Sequence, residues 1–93
     1  MTEDSLCPLC GAPAKRDTLK SLDGYLYTCG ECGGSFEIGH GAQRRAERGE
    51  MYPRVLAGVR RLIAEGKIPR IELEAVQAEF TVLPDVTKGQ ESR

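Results

Sequence analysis

The sequence predicts an α+β chain: a small antiparallel sheet closed at one end by two Cys-x-x-Cys turns, followed by two C-terminal helices. Three observations predict it. The four cysteines all fall in Cys-x-x-Cys pairs, at residues 7 and 10 and at residues 29 and 32. Residues 6–39 are rich in glycine and short alternating runs, with no helical period. After Gly41 the apolar residues change to helical spacing.

Each element follows from local chemistry. Tyr25-Leu26-Tyr27-Thr28 reads as a strand, and Asp23-Gly24 before it is a hairpin turn signal. Its partner strand is expected within residues 14–19. Ser35-Phe36-Glu37-Ile38 is a third strand, with Phe36 and Ile38 on one face. Residues 42–48 form a short helical stretch weakened by Gly49. Pro53 is suited to the first position of a helix. Val55, Leu56, Val59, Leu62 and Ile63 then make one apolar stripe, and Gly66 is a natural stop. Residues 71–80 read as a second helix, with Leu73, Val76 and Phe80 on one side. Thr81-Val82-Leu83 fits either a short strand or an extended tail.

Composition narrows the class. At 93 residues the chain has room for one compact unit, and a core this small calls for an internal staple. No apolar run approaches the ~20 residues of a membrane span. No secretory signal is visible at the acidic N-terminus, and the paired cysteines suit a metal site in a reducing, cytoplasmic compartment. Net charge is −1. Residues 41–70 nevertheless carry eight bases against Glu47, Glu50 and Glu65, while both flanking segments are acidic. Seven of those eight bases are arginine, a residue suited to bidentate phosphate and carboxylate contacts.

The cysteine spacing carries the strongest chemistry. Two intervening residues let both thiolates of a pair turn toward one ion, and tetrahedral zinc takes four sulfurs with no open position. The eighteen residues between the pairs are enough for one hairpin that brings them together. Gly11 and Gly33, directly after each pair, suit a tight turn. One zinc ion bound by Cys7, Cys10, Cys29 and Cys32 is therefore expected. Iron fits the same ligands, and two redox dithiols or two local disulfides are the competing readings.

Cys7-Pro8-Leu9-Cys10-Gly11 and Cys29-Gly30-Glu31-Cys32-Gly33-Gly34-Ser35-Phe36 resemble the two knuckles of zinc-ribbon proteins. The second is similar to the end of the small TFIIB-like zinc finger family. That family continues with Leu-Asp after a Trp, whereas Phe36 here is followed by Glu37-Ile38. Small ribbons of the restriction-alleviation type share the first knuckle, but not their later Trp-Asn signature. The resemblance covers residues 6–40 and implies a ribbon fold with a structural metal. It implies nothing catalytic.

The organisation expected is a flexible tail at 1–5, a zinc ribbon at 6–40, a helical segment at 41–83 and a flexible tail at 84–93. No nucleophile–base pair or carboxylate pair suggests an enzyme. His40 reads as a surface or cap residue, and Tyr25 and Tyr27 as hairpin packing residues. The function expected is a small non-enzymatic zinc module, a regulator or accessory factor. Its contact with nucleic acid, or with a protein that acts on nucleic acid, would run through Arg44, Arg45, Arg48, Arg60 and Arg61. The alternative is a protein–protein adaptor whose helices dock a partner and whose ribbon is only structural. The stripe at 55–63 would pack on residues 73–80, on the ribbon or on a second copy of the chain, so a homodimer is one expectation.

Overall fold

The computed structural model describes residues 2–20, 23–74, 76–77 and 79–86. In chain order the elements are β1 (Thr2–Leu6), β2 (Pro13–Thr18), β3 (Tyr25–Cys29), β4 (Gly34–Ile38), α1 (His40–Glu47), α2 (Pro53–Ala64), β5 (Arg70–Leu73) and β6 (Phe80–Leu83). All six strands form one sheet in sequence order. β1 to β4 run as an antiparallel meander. The two helices carry the chain over to β5, which lies parallel to β4. β6 then returns antiparallel to β5.

The meander explains where the cysteines go. The β1–β2 and β3–β4 connections must lie at the same end of an up-and-down sheet; Cys7, Cys10 and Cys32 lie in them, and Cys29 is the last residue of β3. The opposite end holds the β2–β3 turn and the start of α1. Alternation along the central strands sends Tyr27, Phe36 and Ile38 into the core, all fully buried. Tyr27 and Phe36 are register partners and stack with ring centroids 5.5 Å apart. Val59, Ile63, Ala42 and Ala46 from the helices and Ile71 from β5 complete this core.

α2 begins on Pro53, as its sequence suggests, with Val59 and Ile63 as the buried residues of its stripe. Gly66 and Lys67 donate backbone bonds of 2.9 and 3.1 Å to Ile63 and Leu62, which satisfies the last carbonyls. Gly34 is where α2 meets the sheet: a Cβ there would stand 2.7 Å from Ile63 Cγ2. A side chain at residue 34 would push the helix off the second Cys turn.

Two expectations need correction. Residues 2–5, expected as part of a polar tail, form strand β1 together with Leu6. Its register places Glu3 opposite Arg16 and Asp4 opposite Lys15. The Arg16–Glu3 pair closes at 2.9 Å and Lys15 pairs with Asp4, so cross-strand charge does the work that apolar residues do elsewhere. Residues 71–80, expected as a helix, instead contribute β5 and the start of β6. Leu73, Val76 and Phe80 do have helical spacing, but Val76 is 87 % exposed. Ile71 pairs beside Ile38 and is fully buried, and that tertiary contact overrides the helical pattern. The sheet is accordingly larger than expected, and both helices lie between β4 and β5 rather than at the C-terminal end. Most of the expected 84–93 tail lies outside the described residues. Pro84–Val86 folds back, with Val86 donating a 2.8 Å bond to the Ile68 carbonyl.

Candidate metal centre

The two Cys turns share one construction. In each, the glycine after the second cysteine donates its N–H to the carbonyl of the first: Gly11 to Cys7 at 2.8 Å and Gly33 to Cys29 at 3.0 Å. Both glycines have positive φ, 80° and 97°, which a side chain would resist. The turn thus curls the backbone around its own sulfurs.

The four sulfurs converge on one point. All lie within 4.8 Å of one another, with Cys7 and Cys32 3.9 Å apart and Cys10 and Cys29 3.6 Å apart. A tetrahedral ion with sulfurs at about 2.3 Å has edges of about 3.8 Å, so the cluster has the size to hold one metal ion. None of the four is in a disulfide. Cys7, Cys29 and Cys32 are buried and Cys10 is partly exposed.

Their electrostatics are those of a site that wants a cation. Burial pushes the Cys7 thiol far up, against the pull of N–H groups from Cys10 and Leu9. Burial likewise pushes Cys32 up to about 11, with Arg60 pulling the other way. At Cys10 burial is outweighed by the Ala12 N–H and the neighbouring thiols, and the thiol falls below its usual value. Four crowded sulfurs cannot all ionise without a positive charge among them, so a metal ion entering here displaces protons.

Arg60 supplies part of that charge. Its guanidinium is near enough to the Cys32 and Cys10 sulfurs that they favour its charged form. Its Nε is buried without a hydrogen-bond partner. Arg60 was expected to face solvent as a nucleic-acid contact, yet it follows Val59 and precedes Ile63 by one turn. It therefore sits on the flank of the buried stripe, a signal the sequence does carry.

The other arginines scatter. Arg45 pairs with Glu50 at 2.7 Å and lies over the Phe80 ring, and Arg48 reaches the same carboxylate at 3.5 Å. Arg44 and Arg61 are exposed. Arg44 and Arg45 fall in the last turn of α1, and Arg61 in the last turn of α2, where positive charge favours the helix dipole. Tyr27 is in the core, and its hydroxyl accepts a 3.1 Å bond from Arg16. Tyr25 lies under the Arg16 guanidinium, 4.2 Å from ring centroid to charge.

The far end of the sheet carries a second polar assembly. Arg70, 4 % exposed, donates to Glu37 at 3.1 Å, to Glu72 at 2.5 Å and to the Asp23 carbonyl at 2.6 Å. Asp23 accepts the His40 backbone N–H at 3.0 Å and pairs with the His40 ring, so a carboxylate from the β2–β3 turn caps α1. His40 is thus the first residue of α1, capped by Asp23, and lies outside the sulfur cluster. No family model matches this chain, and no curated protein or solved structure does either.

Proposed function

We propose that this chain is a non-enzymatic, zinc-stapled binding module that works as a protein–protein adaptor. One zinc ion on Cys7, Cys10, Cys29 and Cys32 would close the shell with four thiolates and leave no position for a substrate. The ribbon is then a staple that holds α2 in place through Ile63, Gly34 and Arg60. Reduced, metal-bound cysteines suit the cytoplasm. Among the described residues no helix is long and apolar enough to cross a membrane.

The observation that supports a protein partner is the fate of the arginines. Arg60 turns to the sulfurs, and Arg45 and Arg48 share Glu50, so three of the five expected phosphate contacts are already engaged. Tyr27 is buried against Phe36, and Arg16 covers one face of the Tyr25 ring. The second reading, nucleic-acid binding, keeps one observation in its favour: Arg44, Arg54 and Arg61 are exposed, and among the described residues no ion pair engages them.

Titration of labelled DNA and RNA at two salt concentrations separates the readings. An adaptor shows no binding at moderate salt. Nucleic-acid binding would weaken linearly with log salt, and an Arg44→Ala, Arg61→Ala double variant would flatten the slope by about 0.9 per lost duplex phosphate contact. Such a slope would remove the adaptor reading. Elemental analysis should find one zinc per chain, and a visible thiolate–iron colour would assign iron instead.

A further inference from the structure

The two edges of the sheet are built differently. β1 is guarded: Glu3 and Asp4 stand on it, each paired to a base on β2. Charge on an edge strand is a common defence against strand addition. β6, the opposite edge, reads Phe80-Thr81-Val82-Leu83 and carries no charge. Leu83 is 53 % exposed, and β5 is the strand's one partner among the described residues.

Beside that unguarded edge runs α2. Between them lies a groove of about 340 Å³, lined by Arg54, Val55, Gly58, Arg61, Leu62 and Val82, with Pro84 at its end. At the start of α2 it adjoins a hollow lined by Tyr52, Phe80 and the exposed Glu79, to which Arg54 and Val55 also belong, so the acidic side chains of an occupant are placed over Val55 to Leu62 rather than at Glu79. The floor is apolar and half-buried. Arg54 and Arg61 stand on the rim, seven residues and so roughly 10 Å apart along one helix face. Both are exposed, and no carboxylate among the described residues pairs with them.

Gly58 is the residue that packing does not account for. It sits in the middle of α2, where glycine costs about 1 kcal/mol relative to alanine. Its φ is not positive, and a Cβ built on it meets nothing within 4 Å. Neither backbone conformation nor close approach calls for glycine here. What its missing side chain does is leave the groove open.

We propose that the groove between α2 and the edge of β6, which no strand covers among the described residues, is a peptide-docking site. Its occupant is an extended segment of a partner protein that presents an apolar side chain flanked by acidic ones. The segment adds to β6 as a strand, its apolar side chain fills the space over Val55, Gly58, Leu62 and Val82, and its carboxylates meet Arg54 and Arg61. Strand addition supplies affinity through the backbone, and the side-chain pockets and charges supply selectivity. Three residues of extended chain span about 10 Å, the separation of the two arginines. This inference rests on the adaptor reading and names the chemistry of the partner.

The test is selection of random octapeptides displayed on phage against the immobilised, zinc-loaded protein. Synthesis of the enriched peptide and NMR mapping of its contact surface follow. The expected consensus is an apolar residue with an acidic residue within three positions on each side. The expected shifts fall on residues 54–62 and 80–83. Arg54→Glu with Arg61→Glu should weaken binding at least tenfold. Gly58→Leu should abolish it while leaving the fold and zinc content unchanged. A basic consensus, no enrichment, or an unaffected Gly58→Leu variant overturns the proposal. So does dimerisation of the free protein that shifts the same residues, which would make a second copy the occupant. Enriched peptides that map to another face sink this groove but leave the adaptor reading standing. Salt-dependent nucleic-acid binding that competes with the peptide sinks both.

Discussion

The two ends of the sheet solve the same problem with different chemistry. At one end four sulfurs from two turns meet within 4.8 Å, ready for a cation that the chain does not itself supply. At the other, Arg70 is the cation, built in, and Glu37, Glu72 and the Asp23 carbonyl gather around it. Each end ties together segments remote in sequence. The difference would be conditional: with a metal bound, one end depends on metal and thiol state, the other only on a buried ion pair. The metal end should therefore act as the chain's on–off element, and the Arg70 end as a fixed brace.

Breaking the metal end should have the largest effect. Zinc binding in small sites contributes on the order of 10 kcal/mol, comparable to a whole domain's stability. Chelation or Cys29→Ser should unfold at least residues 6–40, read as loss of sheet signal in circular dichroism. A folded, metal-free chain with two disulfides would contradict this. Removing Arg70 comes next. Arg70→Met leaves Glu37 buried without its counter-charge and should cost about 3–5 kcal/mol by urea unfolding of the zinc-loaded protein. The double variant Arg70→Met, Glu37→Met should recover much of that loss. A single variant that melts like the parent would mean the brace carries no weight.

How much of each end the sequence reveals follows the same divide. The cysteine cluster is legible because its spacing is local: two residues between paired cysteines and a glycine after each pair. The strands around Tyr27 and Phe36 and the helix opened by Pro53 are legible for the same reason. The Arg70 brace is not, because Asp23, Glu37, Arg70 and Glu72 come from separate segments and none is marked locally. β1 hides because its pairing rests on charge rather than apolar alternation. The β5–β6 hairpin hides because Leu73, Val76 and Phe80 imitate a helix until β4 claims Ile71.

Arg60 sharpens the comparison, as a positive charge beside the sulfurs. Residues that bond metal ligands typically contribute 10–100-fold in metal affinity. Arg60→Gln should weaken zinc binding by about that factor in a chelator competition, with unchanged circular dichroism. Unchanged affinity would place Arg60 back among the surface arginines.

The smallest effect belongs to Asp23. The His40 backbone N–H and imidazole hold its carboxyl below the usual carboxylate range. That interaction contributes stability above the unfolded carboxyl value of about 3.9 and loses it as pH falls through the lower folded value. Asp23→Asn should be slightly less stable than the parent at pH 6, and the two should converge at strongly acid pH. A gap that stays constant with pH would mean the carboxylate charge is irrelevant and only the cap's shape matters.

The central claim is that Cys7, Cys10, Cys29 and Cys32 together hold one zinc ion. Zinc-edge X-ray absorption of the purified protein tests it most directly. The account predicts a single shell of four sulfurs at about 2.3 Å. A shell that contains nitrogen or oxygen, or fewer than four sulfurs, would contradict it.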